Sequence, residues 1–133
     1  MANTPSAAVV YIVDDDDSVR KGLSRLMRSA GLPSENFSSA EEFLAEVDED
    51  RTGCLLLDIT LPRLTGHQLQ AELKKRKIDM PVIVISARDD GDTRRMALEL
   101  GARFFFRKPV DDQALLDTIH WLLTPVRPDP SPH

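Results

Sequence analysis

The chain has 133 residues, of which 41% are hydrophobic, and a formal net charge of -5 at pH 7. That is enough chain and apolar surface for one domain with a buried core, which excludes a two-domain layout and wholesale disorder. The acidic balance argues against the chain gripping nucleic acid by itself, because neutralising phosphates takes a basic surface.

Residues 1–8 carry neither a basic region nor a long apolar stretch, so no signal peptide is predicted, and no apolar run is long enough to span a membrane. Residues 7–13 form a short run rich in β-branched side chains, which predicts a buried strand. It stops at four consecutive aspartates, Asp14 to Asp17. Val19, Leu23, Leu26, Met27 and Ala30 then recur at helical spacing, with Asp17 expected as the N-cap and Gly31 as the residue after the C-cap. A weak strand is expected over 34–37. Ser39 and Glu42 have capping-box spacing and open a short helix with Phe43, Leu44 and Val47 on its apolar side.

After a polar turn over 48–53, residues 54–57 read as the third strand, with Asp58 at its carboxyl end. The single cysteine, Cys54, falls in this run and is expected to be a core residue. One cysteine builds neither a disulfide framework nor a zinc site within the chain and fits a reduced, cytoplasmic setting. A loop over 59–66 leads to a second capping box, Thr65 and Gln68, ahead of a helix carrying Leu69 and Leu73 and ending in basic residues that suit its dipole. Residues 81–85 predict the fourth strand, ending at Ser86. Residues 92–100 predict a helix stopped by Gly101, and 103–107 a fifth strand followed by Lys108 and Pro109. The last helix is expected over 111–123, with Leu115, Ile119, Leu122 and Leu123 on one face and Trp121 as a packing or partly exposed contact. Residues 125–133 hold four prolines and read as a Pro-rich tail or a truncated linker.

Five strand-then-helix units predict an α/β fold. The expected form is a single-domain, doubly wound, five-stranded parallel sheet of order 2-1-3-4-5, flavodoxin-like in its (βα)5 winding. In such a sheet ligands bind beyond the carboxyl ends of the strands, where the strand order reverses. The sequence puts Asp14 and Asp15 after strand one, Asp58 after strand three, Ser86 after strand four and Lys108 after strand five. Each alone has an ordinary explanation: a solvated loop, a turn residue, a cap, a strand exit. Together they place three carboxylates in one pocket, a costly arrangement that a small hard cation with oxygen ligands, Mg²⁺ or Mn²⁺, would relieve. No Ser-His-Asp arrangement stands out, and His67, His120 and His133 read as structural or solvent-facing.

Over about residues 9–123 the chain resembles the receiver domain of two-component response regulators, of the FixJ-like branch. The matching stretches run from Val10 to Asp17, Leu55 to Gly66, Pro81 to Ala87 and Gly101 to Pro109. The resemblance implies a receiver domain over 1–124 and a cytoplasmic signalling role rather than an enzyme. Asp58 would accept a phosphoryl group from a sensor histidine kinase. Asp15 would be a direct metal ligand, with Asp14 acting through water and the Thr60 backbone carbonyl completing the protein ligands. Ser86 and Lys108 would meet the phosphoryl oxygens, and Phe105 would follow the Ser86 hydroxyl. Thr60 and Arg88 would flank the pocket at positions that, in the family it resembles, tune dephosphorylation. The Lys108–Pro109 bond is expected to be cis. The fourth helix, fifth strand and fifth helix would then present a face for an output partner or a self-dimer, with no direct contact to nucleic acid or membrane. Alternatives are a haloacid-dehalogenase-type phosphatase using Asp14-x-Asp16, a flavin or nucleotide binder on the same fold, and a receiver that docks without being phosphorylated.

Overall fold

The computed structural model describes residues 8–48, 50–88 and 90–124. The predicted tail over 125–133, with His133, and the strand start at Ala7 lie outside the described residues. Five strands alternate with five helices: β1 Val9–Val13, α1 Asp17–Ser29, β2 Ser34–Phe37, α2 Ala40–Glu46, β3 Gly53–Asp58, α3 Gly66–Lys75, β4 Val82–Ser86, α4 Gly91–Glu99, β5 Phe104–Arg107 and α5 Asp112–Leu123. The strands form one parallel sheet in the order β2-β1-β3-β4-β5, as expected from the βα repeat.

A parallel sheet needs cover on both faces, and alternate side chains along each strand supply two separate cores. Tyr11, Val13, Leu55, Leu57, Val82 and Val84 face Phe43, Leu69, Leu73 and Ala97 from α2, α3 and α4. Val10, Ile12, Cys54, Leu56, Ile83 and Ile85 face Met27, Leu115 and Ile119 from α1 and α5. Cys54 is thus the core residue expected of it, and burial pushes its thiol up to about 12, which keeps it protonated and inert. Gly53 opens β3 at φ 140, and a side chain there would overlap the Val9 carbonyl. Glycine at this point therefore sets how closely β1 and β3 begin.

Local chemistry ends the elements slightly differently from the sequence pattern. The N-cap of α1 is Asp16, whose carboxylate accepts from the amides of Ser18 and Val19; Asp17, expected there, is the first helical residue. Gly31 adopts φ 73 just past the Ala30 cap, as predicted. At α2 the Ser39 hydroxyl accepts from the Glu42 amide, but the Glu42 carboxylate reaches back to the Ser38 amide and hydroxyl rather than to Ser39. At α3 the box is reciprocal: Thr65 N donates to Gln68 Oε1 at 2.8 Å and Gln68 N donates to Thr65 Oγ1 at 3.2 Å. Helix α4 starts at Gly91 under the Asp90 cap, just before the expected 92, because the Asp90 carboxylate accepts from Thr93 N. Among the described residues, no helix is long and apolar enough to cross a membrane.

Candidate functional site

Register brings the polar strand ends together. In the β1–β3 pair Val13 lies opposite Leu57, so the next residues along, Asp14 and Asp58, emerge side by side. In the β4–β5 pair Ser86 lies opposite Arg107, and Lys108 follows at once, its amide donating to the Ser86 carbonyl at 2.8 Å. Ligand oxygens of Asp14, Asp15 and Asp58 all lie within 4.8 Å of one another. Asp14 and Asp58 are buried while Asp15 is exposed, so the group opens to solvent on one side. The Lys108 ammonium completes the cluster, donating to Asp14 Oδ2 at 3.1 Å and standing 3.5 Å from Asp58 Oδ2.

The pocket above these groups has a volume of about 500 Å³ and is lined by Asp14, Asp15, Asp58, Thr60, Arg88 and Lys108. Asp16 and Ala87 also line it, though strand-end position alone singles out neither. A second hollow of about 550 Å³ between α1 and α5 is walled mainly by Val19, Leu23, Leu26, Val110 and Leu115, and offers few polar groups to orient a ligand.

Burial is the main force on Asp58. It pushes the carboxyl up to about 6, helped by the neighbouring Asp14 charge; the Thr60 amide, at 3.0 Å from Asp58 Oδ1, and Lys108 pull the other way. For Lys108 burial works against the charge, but the hydrogen bond to Asp14 and the charges of Asp58 and Asp14 outweigh it and hold the ammonium above its ordinary range. Lys108 against the three clustered carboxylates leaves that cluster short of positive charge. An all-oxygen donor set, mostly dehydrated and held by rigid strand ends, fits a hard divalent cation and offers no soft ligand to zinc or copper.

Two expected residues stand apart from this cluster. Ser86 is fully buried, and its hydroxyl accepts from the Arg88 amide at 2.9 Å instead of lining the pocket. Phe105 lies in the neighbouring β5, half-buried against the α2–α3–α4 core, with the Arg94 guanidinium 5.0 Å from its ring centre. The Lys108–Pro109 bond is cis, as expected. One contributor carries no sequence signal of its own. Arg20 Nη1 donates to the Asp14 carbonyl at 2.6 Å, from one helical turn beyond the acidic run.

A five-stranded doubly wound sheet with an acidic pocket at its switch point, reached by a lysine from the exit of β5, is the architecture of the receiver class of signalling modules. The chain belongs to the response regulator receiver domain family, whose model matches residues 10–120. It therefore takes its place in two-component signal transduction, in a family of signalling domains rather than enzymes with an external substrate. The response regulator protein TodT of Pseudomonas putida is 42% identical over 113 residues, 85% of this chain and 50% of that protein. Nodulation protein W of Bradyrhizobium diazoefficiens is 42% identical over 112 residues, 84% of this chain and 49% of that protein. The crystal structure of FixJ-N superposes with a TM-score of 0.83 at 31% identity, covering 94% of this chain and 100% of that one. The chain spans about half the length of the curated relatives it matches. Neither a haloacid-dehalogenase-type phosphatase nor a flavin or nucleotide binder is favoured by these matches.

Proposed function

We propose that the chain is a phosphorylation switch in which Asp58 accepts a phosphoryl group from a histidine kinase phosphohistidine, and water later hydrolyses the acyl phosphate to free Asp58 and inorganic phosphate. The observation that carries this reading is the convergence of Asp14, Asp15 and Asp58 with the Lys108 ammonium 3.5 Å from Asp58. Asp58 is the carboxylate held from behind: the Thr60 amide fixes Oδ1, and Oδ2 faces Lys108. Attack by Asp58 on phosphorus forms an acyl phosphate and releases the donor's imidazole. Asp14, Asp15, Asp58 and the Thr60 carbonyl would hold Mg²⁺ (or Mn²⁺), which when bound offsets the negative charge of the transferring group. Lys108, 3.5 Å from Asp58 Oδ2, would pair with an added phosphoryl oxygen. The contribution of these residues is positioning and electrostatics.

The readout follows from what phosphorylation adds. New acceptor oxygens at Asp58 give the Ser86 O–H a partner to donate to, while its oxygen now accepts from the Arg88 amide. Ser86 turning toward the pocket would free space for Phe105 and loosen its contact with Arg94. Two states of α4, β5 and α5 would then differ in population, and that face would bind an output partner or a second copy. Thr60 and Arg88, both lining the pocket, would tune the lifetime of the acyl phosphate by controlling access of water. Residues 1–124 would form the receiver and 125–133 a Pro-rich linker or tail, all in the cytoplasm, with no direct role in binding nucleic acid.

The test is labelling by a phosphorylated histidine kinase, or by a small phosphodonor, with Mg²⁺ and with EDTA. Wild-type protein should label only with the cation, and Asp58→Asn should not label. Equal labelling of both proteins would end the assignment. Wild-type protein that never labels, with tight partner binding unaffected by phosphodonor, would favour a docking-only receiver.

A further inference from the structure

We infer that Arg20 is a positioning residue for the cation site, holding the acidic loop in its ligating shape without occupying any of the ligating oxygens; this rests on the metal-dependent reading above. The loop has an electrostatic problem. Four consecutive carboxylates, Asp14 to Asp17, leave β1 and turn into α1 within one helical turn, and they repel one another. The structure sorts them. Asp14 and Asp15 face the pocket beside Asp58. The carboxylate of Asp16 is spent on capping α1. Asp17 is drawn outward by Lys21 at 3.1 Å and Arg20 at 3.0 Å, and Lys21 above all, with Arg20, holds its carboxyl below the usual range.

The Arg20 side chain bridges the two halves of this arrangement. Its Nη1 donates to the Asp14 backbone carbonyl at 2.6 Å and its Nη2 to Asp17 Oδ1 at 3.0 Å. Its side chain is 15% exposed, so the fork is held within the structure. Two divergent donors on one rigid plane are what this bridge demands, and lysine, a point donor, cannot make both contacts in fixed geometry. The contrast with Lys108 is informative. Lys108 binds the side-chain oxygens of Asp14 and Asp58 and so competes with a cation for them. Arg20 takes the backbone oxygen of Asp14, fixing where its Cα and the following Asp15 stand. The Asp14 side chain keeps its own internal tie, Oδ1 accepting from Asp16 N at 2.9 Å.

The experiment is Mn²⁺ titration of the full chain, followed by electron paramagnetic resonance of the free ion, on wild type, Arg20→Lys, Arg20→Ala and Asp17→Asn. Thermal denaturation in EDTA accompanies each. Outer partners of metal ligands typically carry ~10–100-fold in metal affinity. Arg20→Ala is expected to fall in that range, and Arg20→Lys to lose ~10-fold or more although its charge is kept. Asp17→Asn, whose amide oxygen still accepts from Nη2 and which leaves the Asp14 contact in place, should stay within about threefold of wild type. Arg20→Lys binding Mn²⁺ like wild type, or Asp17→Asn losing as much as Arg20→Ala, would overturn the inference. If Arg20→Ala does not fold, Arg20→Lys decides. Wild type that fails to bind Mn²⁺ at all refutes the cation-site reading itself, a result separable from the others.

Discussion

Asp58 is 7% exposed, shares its pocket with a second buried carboxylate, and titrates near 6 rather than 3.8. A folded-state value raised above the unfolded one means that the folded protein holds the proton more tightly. The contribution of Asp58 to stability is therefore fully present below about pH 4 and is lost as pH rises through about 6, by up to ~3 kcal/mol for a shift of about two units. Asp58→Asn removes that penalty. In EDTA at pH 8 the variant should be more stable than wild type by about 1–3 kcal/mol, the lower end allowing for the partner Lys108 loses. At pH 4 the two should converge. Urea unfolding at both pH values checks this, and a difference that grows toward acid would contradict it. At this scale much of the cluster is legible in the sequence, because Asp14 and Asp15 close the apolar run 9–13, Asp58 closes the apolar run 54–57, and Lys108 follows Phe104 to Phe106 with one residue between. Two features are not legible. Nothing local says that the Ser86 hydroxyl turns to the Arg88 amide, or that Asp16 rather than Asp17 caps α1, since both depend on where the chain bends after the strand.

Helix α3 bears on the site through its first turn. The Thr65–Gln68 box fixes where the helix begins, and Gly66 N donates to the Ile59 carbonyl at 3.2 Å. An added Cβ on Gly66 would lie 2.7 Å from Ile59 Cα and 2.9 Å from the Asp58 carbonyl. These are backbone atoms of the segment that carries the pocket carboxylate, so no rotamer change relieves the clash. Gly66→Ala is expected to cost ~1–3 kcal/mol in chemical denaturation and to slow labelling of Asp58 as the 58–60 segment is displaced. Thr65→Ala should cost ~1 kcal/mol while leaving the labelling rate near wild type. A Gly66→Ala protein with wild-type stability and rate would show that the helix start can yield. The capping box was legible as Thr-x-x-Gln spacing. The need for glycine at 66 was not, because its neighbour is backbone brought in by the 59–66 loop rather than a periodic side chain. The same limit explains Glu42, whose spacing suggested a bond to Ser39 while its carboxylate serves Ser38.

Across the whole molecule, strand order is legible because βα units wound right-handedly leave few layouts. The division of the core is less so: strands such as Val9–Val13 are apolar on both faces, and only the register decides which side chains meet α1 and α5 and which meet α2 to α4. Because the pocket draws on β1, β3 and the exit of β5, cation binding should stabilise the entire sheet. Mg²⁺ at 100 times its dissociation constant is expected to add ~2.7 kcal/mol, reversed by EDTA and not reproduced by NaCl of equal ionic strength. Asp15→Asn should lose most of that gain. Thermal midpoints read both, and a Mg²⁺ effect of equal size in Asp15→Asn would point to a cation bound elsewhere. Finally, Trp121 is the chain's one tryptophan; it is 48% exposed on α5 and meets Phe104 of β5 edge-on at 6.3 Å. The molecule thus carries a built-in optical reporter at the far margin of its sheet. Its emission should shift to the blue when another protein covers that margin and change in intensity when β5 moves against α5, so occupancy can be followed without any attached dye.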